Sequence, residues 1–348
     1  MATAAAVCLK LHIPFVLYRF PGKECCFFSN PSGITNSTAS RQFGIAMWNS
    51  LYADRIIIAD EMNATQTLNM KPEWATGTIM ARTAITPWPH TTERKEYEVR
   101  LRRLIDELKQ RGGKTVISRV VSEKKQYDSG KWVKIADRVF ESNLSAMCCL
   151  YYTPQTGGWI CASPELLLEA DFTHRTLHTI ALAGTRRRSE NIAQEWSEKD
   201  LMEHEVVKQF LLKKLTATNT EIEVSPTETC RSGEIEHLRT FFTAKMSTGF
   251  QPAHFLDTVS PTPALCGYPT DIAKENIKEI EAHPRYCYGG YFMVESAEQA
   301  IAYVNIRCVH FDEDRMTLYA GSGIMPDSTP AGEWDETEAK LSAIGNNL

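Results

Sequence analysis

Apolar and polar positions along this chain alternate with short strand-like periods through most of its length, interrupted by a few stretches of helical spacing. IPFVLYRF and ADRIIIADE read as strands in the first ninety residues, joined by connections rich in proline and glycine. The Pro-rich piece Thr86–His90 then leads into a helix. Thr91 or Thr92 can cap it, Glu93 falls in its first turn, and Tyr97, Leu101, Leu104 and Leu108 recur on one face until Gly112-Gly113 stops it. KTVISRVV follows as a strand. A meander comes next: CCLYYT, a turn at Gly157-Gly158, WICASPELLLEAD as one strand, a turn near His174, and TLHTIALAG. A helix is predicted over 196–215, then a strand and helix covering EIEVSP and the region of His237, a rigid loop over Ser260–Pro269, and a helix over 271–281. The C-terminal part offers QAIAYVNIR and TLYAG as strands, a Gly321-Ser322-Gly323 loop, and a helix opened by Ser328-Thr329-Pro330. No internal repeat or low-complexity segment is present. Closely spaced antiparallel strands interspersed with helices predict an α+β layered fold, and not a doubly wound sheet.

Composition narrows the class. The chain has 348 residues, 43% of them hydrophobic, enough to bury one large core. We read it as effectively one domain, with 91–348 as its main core and 1–90 as the N-terminal part of the same unit. Formal net charge is −5, both signs are mixed, and Arg186-Arg187-Arg188 is too short a basic run to follow a phosphate backbone, so nucleic acid is not an expected partner. The ten cysteines include the adjacent pairs Cys25-Cys26 and Cys148-Cys149 but no C-x-x-C, which suits reduced core thiols in a cytoplasmic protein. The apolar run His12–Tyr18 is too short for a membrane span and lacks a basic region before it.

Several polar residues stand out against the pattern. On the 196–215 helix, Glu203 shares its face with Trp196, Val207 and Phe210. A carboxylate there needs a cation, either Lys199 four residues back or a metal. Glu336 has the same two readings, with Lys340 as its i,i+4 partner. Two carboxylates from separate helices without a His/Cys cluster would suit magnesium, which takes few protein oxygens. Strand alternation puts Glu165, Leu167 and Glu169 on one side, so Glu165 is either an acid catalyst or an edge residue. Lys114, at the head of KTVISRVV, is either a site lysine or a gatekeeper on an edge strand. The loop after TLHTIALA carries Gly184 and Thr185 ahead of three arginines. It reads as a solvated turn or as backbone amides close to an anion. Arg307, the glycine amides at Gly321 and Gly323, and the Glu336/Lys340 pair form the set a small polyanion needs.

Taken in order, KTVISR, ASPELLL, LAGTRRR, EKDLMEHEVV, HLRTFFTAKM, PTPALCGYP, RYCYGG, IRCV, YAGSGI and GEWDETEAK resemble the chorismate-utilising enzymes, and within them the isochorismate synthases. The likeness runs from about Tyr97 to Leu341. It implies a single large α/β domain with two large antiparallel β-sheets flanked by helices, and a magnesium-dependent reaction on chorismate, with Glu203 and Glu336 as metal ligands, Lys114 as general base and Glu165 as general acid. It also implies that Arg307, Gly321 and Lys340 grip a substrate carboxylate, that Gly184 and Ala264 line the pocket, and that Thr185 and Ile306 complete its wall. A base at Lys114 calls for burial or nearby positive charge, and an acid at Glu165 for a raised pKa.

Three positions bear on the subfamily. Related aminating synthases usually have Gln where Lys114 stands, and aminodeoxychorismate synthases have a lysine where this chain has Ala183. Salicylate synthases, which go on to release pyruvate, tend to have Thr in place of Ala264. The resemblance therefore implies water as nucleophile, isochorismate as product, a monomer and no amidotransferase subunit. Salicylate synthesis and a non-catalytic chorismate-binding role are the alternatives. Met293 departs from the glycine often found there in the family, and the first ninety residues match poorly.

Overall fold

Alternation and close turns build two antiparallel sheets, and the helical stretches cover them. The computed structural model describes residues 1–33, 40–70, 87–188, 195–218, 221–232 and 235–348, so Thr86 lies outside the described residues. The chain begins with α1 (Ala2–Leu11), β1 (Phe15–Arg19), β2 (Cys26–Ser29), β3 (Arg41–Ala46), β4 (Ile56–Ala59) and α2 (Ala64–Leu68). It continues through α3 (Arg94–Arg111), β5 (Lys114–Lys124), α4 (Ser129–Ser142), β6 (Met147–Thr153), β7 (Gly157–Ser163), β8 (Leu166–Asp171) and β9 (Thr176–Arg187). Then come α5 (Glu198–Thr218), β10 (Ile222–Val224), β11 (Glu228–Ser232), β12 (Ile235–Lys245), α6 (Pro252–Val259), β13 (Gly267–Tyr268) and α7 (Thr270–Ile280). The C-terminal part holds β14 (Tyr291–Ser296), β15 (Gln299–Val304), β16 (Cys308–Phe311), β17 (Arg315–Ile324) and α8 (Pro330–Gly345).

The first sheet runs β13-β5-β17-β16-β7-β6-β1-β2, and the second runs β10-β12-β9-β8-β15-β14-β3-β4 with β11 also on β12. Their inner faces meet in one core, where Val16, Tyr151, Trp159 and Cys161 of the first sheet join Phe43, Leu168, Ala170 and Phe292 of the second. α1 and α4 cover the outer face of the first sheet through Ala4, Cys8, Ile135 and Val139. The apolar stripe of α3 packs with Ile117, Ile277 and Ile324, as its spacing predicts.

Local departures from the sequence reading have physical causes. WICASPELLLEAD is not one strand: Pro164 and Glu165 break it, and β7 and β8 belong to different sheets. Leu166 and Leu168 face Tyr303 and Ala302, so Leu167 is an extra residue in the ladder; this bulge leaves Leu167 buried and Glu169 exposed, against simple alternation. Gly321-Ser322-Gly323 is no loop but part of β17, paired with Ser118, Ile117 and Val116 of β5. Gly184 and Thr185 likewise sit within β9, and the region of His237 is the strand β12. The helix expected over 196–215 begins at Glu198 and runs to Thr218. Glu93, not Thr91 or Thr92, is the N-cap of α3, because both threonine hydroxyls accept backbone N–H groups of β5, from Ser122 and Val120. α1 was not legible in alanine-rich residues without a clear stripe. All ten cysteines are unbridged, and no helix among the described residues is long and apolar enough to cross a membrane.

Candidate active site

Two crossings of the chain between the sheets create the centre of the site. One is the step from β7 to β8 at Glu165; the other is the step from β15 to β16 at Arg307. They lie side by side: Val304 N–H donates to the Glu165 carbonyl at 3.0 Å, and Ala162 N–H donates to the Arg307 carbonyl at 3.0 Å. An acid and a cation distant in sequence thus reach one cavity. Glu165, Thr185, Glu203, Ala264, Ile306, Arg307, Gly321 and Lys340 all line it. Gly184 stands just behind, at φ +74°, where the carbonyl of Asp200 leaves little room for a side chain.

Lys114 and Glu336 are in the shell immediately around this cavity. Lys114 is not a surface gatekeeper: it is 1% exposed, with β17 on one side of its strand and β13 on the other. Its Nζ is 3.0 Å from Glu203 Oε1. The burial that a base at Lys114 calls for is present, and the charged group beside its Nζ is a carboxylate. Gly323 makes this approach feasible, since a Cβ there would collide with the Glu203 carboxylate and Lys114 Cε.

The sequence pairing of Glu203 with Lys199 does not form. Lys199 instead crosses to α8, 2.8 Å from Glu333 and 3.9 Å from Glu336. Glu336 does pair with Lys340 at 2.8 Å, and Lys340 also donates to the Gly321 carbonyl at 2.9 Å. Lys199 of α5 thus links Glu333 and Glu336 of α8, and of these acids only Glu203 of α5 lines the cavity itself.

Their electrostatics differ. Burial would raise the Glu203 carboxyl, but Lys114, Lys199 and Lys340 together hold it below the usual range. Burial pushes Glu336 up to about 7; Lys340 opposes this, while Glu333 and Glu203 add to it. Glu165 is raised to about 7 by burial, against the pull of Lys114, a Thr262 hydrogen bond, Lys340 and Arg307. Burial also lowers Arg307 to about 10.

One oxygen each of Glu203 and Glu333, Oε2 in both, is buried without a hydrogen-bond partner. Unpartnered carboxylate oxygens are the donor type a hard divalent cation takes, although among the described residues no three acidic, histidine or cysteine side chains stand close enough together to form a ready-made metal cluster.

His237, Tyr288, Thr262 and Glu333 were not singled out from the sequence, and Lys199 only as a partner for Glu203. His237 is buried on β12, and its Nδ1–H donates to the Gly184 carbonyl at 3.2 Å. That leaves Nε2 to accept from Arg307 Nη2 at 2.6 Å. Burial, then Arg307 and Lys340, drive its pKa well below the ordinary value, so it is a neutral acceptor. A strand histidine carries no spacing signal. Glu333 was hidden because an acid in the first turn of a capped helix is commonplace.

Comparison with known proteins follows this geometry. The chain is 35% identical over 208 residues to the isochorismate synthase EntC of Escherichia coli, covering 56% of this chain and 53% of that protein. It is 33% identical over 194 residues to the isochorismate synthase DhbC of Bacillus subtilis, covering 53% and 48%. The matched stretch thus spans about half the length of these curated relatives. The fold matches the menaquinone-specific isochorismate synthase MenF of Escherichia coli with a TM-score of 0.79 at 18% identity, over 100% of this chain and 91% of that one. It matches anthranilate synthase component I of Streptococcus pneumoniae with a TM-score of 0.66 at 16% identity, over 95% and 89%. The model of the chorismate binding enzyme family covers residues 47–348, most of the chain, and the protein belongs to that family.

Proposed function

We propose that this protein is an isochorismate synthase, an isomerase that moves the ring hydroxyl of chorismate. The carrying observation is that buried Glu165 lines one cavity with Arg307, Lys340 and Glu203, and that Lys114 stands 3.0 Å from Glu203; burial raises the Glu165 carboxyl to about 7. Water adds at ring carbon 2 and hydroxide leaves carbon 4 as the double bonds shift. Lys114, in its neutral form, takes the proton from the attacking water. Glu165 gives its proton to the departing oxygen, so water leaves and a carboxylate remains. Arg307, steadied by His237, and Lys340, beside Gly321, hold substrate carboxylate.

Glu203 and Glu336, with Glu333 close by, would hold Mg²⁺, which neutralises a substrate carboxylate and fixes the ring. Ala264 leaves a small apolar wall, consistent with stopping at isochorismate. We place the protein in the cytoplasm, as a monomer without an amidotransferase subunit, supplying menaquinone or siderophore synthesis.

Incubation with chorismate and Mg²⁺, followed by chromatography, tests this. Isochorismate without pyruvate is expected. Pyruvate with salicylate would replace the reading with a salicylate synthase, and binding without turnover with a non-catalytic protein.

A further inference from the structure

The loop from Ser260 to Tyr268 does more than wall the cavity. We propose that Thr262 is a positioning residue for Glu165: its hydroxyl holds one carboxyl oxygen so that the proton sits on the other, facing the substrate. The inference rests on Glu165 being the general acid.

Thr262 Oγ1 donates to Glu165 Oε1 at 3.4 Å, and the two side chains are buried together. The hydroxyl comes from a fixed support. The Thr262 carbonyl accepts N–H from Leu265 at 3.0 Å and from Cys266 at 2.8 Å. The Leu265 carbonyl in turn accepts from Arg285 Nη1 at 2.8 Å, and Arg285 Nη2 donates to the Val116 carbonyl on β5 at 2.8 Å. The loop is thereby tied to the strand that begins with Lys114.

Other groups facing Glu165 come from every side: Lys114 from β5, Lys340 from α8, Arg307 from the second crossing, and Tyr288 from the turn before β14. The three cations act on the carboxylate through charge. Thr262 adds a directed donor, and a directed donor distinguishes one oxygen from the other.

With Oε1 accepting from Thr262, the acid proton belongs on Oε2. During the reaction the Oε2–H bond breaks, a bond to the departing oxygen forms, and the electron pair stays on the carboxylate. Thr262 continues to stabilise that charge. Removing the hydroxyl frees the proton to shift to Oε1 and leaves the product carboxylate with one donor fewer.

The test compares Thr262→Val and Thr262→Ser in the full chain. Thr262→Val should lower kcat about tenfold with little change in KM, and move the alkaline limb of the pH profile up by ~0.5–1 unit. Thr262→Ser should restore both. Wild-type values in Thr262→Val, or equal loss in Val and Ser with an unmoved limb, would overturn the proposal. Thr262→Ala substitutes if the valine variant does not fold.

Titration of Glu165 by carbon NMR with labelled glutamate reads the same interaction without turnover. An unchanged Glu165 titration in Thr262→Val refutes the positioning role. A wild-type protein inert toward chorismate refutes the acid assignment instead.

Discussion

Lys114 and Glu203 form an ion pair sealed inside the protein, with Nζ and Oε1 3.0 Å apart and side-chain exposures of 0% and 7%. The contact is ionic and not an aligned hydrogen bond, for Lys114 Nζ has no hydrogen-bond partner of good geometry. Truncating Lys114 leaves a buried carboxylate without its nearest cation. Lys114→Ala should therefore abolish turnover while chorismate binding persists, and should cost about 3–5 kcal/mol of stability. Turnover, calorimetric substrate binding and denaturant unfolding check the three parts. Near-normal activity would remove Lys114 from the mechanism.

Glu165 sets a pH dependence. With its carboxyl raised to about 7, the acid form is available below neutrality and kcat/KM should fall as pH rises through 7. Stability follows the same sign. The raised group favours the folded state fully below its unfolded pKa of about 4.3, and that contribution is lost as pH rises through about 7. Glu165→Gln should flatten the stability profile over this interval and lower kcat by about 100-fold or more. A rate profile with no break near neutrality in the wild type would count against the assignment.

The acidic end of the cavity predicts metal behaviour that does not depend on turnover. Glu203→Gln removes the charge behind an unpartnered buried oxygen, so Mn²⁺ binding followed by electron paramagnetic resonance should weaken by at least about tenfold. An unchanged metal titration would show that the cation sits elsewhere.

His237 predicts a separation of kinetic constants. It touches Arg307 and not the reacting carbons in our reading, so His237→Phe should raise KM for chorismate about tenfold and change kcat less. An equal fall in kcat with KM unchanged would assign His237 to the chemistry itself.

Gly323→Ala tests the packing beneath the pair. The added methyl would displace Glu203 and Lys114 together, and activity and Mn²⁺ binding should fall in parallel. A variant with wild-type values in both would mean that the strand can yield there.

Most strands, the α3 stripe and the acid on the apolar face of α5 were legible in the chain because period and burial are local properties. Glu203, Glu165 and Arg307 stood out as polar groups in apolar runs or at strand ends. Their partners did not. Lys199 is four residues from Glu203, the ordinary spacing for a helix pair, yet it bonds across to Glu333, because α8 packs beside α5. His237 became part of the site only when β12 paired with β9 and placed it opposite Thr185. The break of WICASPELLLEAD at Pro164-Glu165 joins strands of different sheets, and no periodicity within one segment can report which sheet each half will enter. Residue spacing thus determined which groups carry charge on an element's face. The pairing of distant strands and helices, driven by burial of both sheets against one core, decided which charges meet.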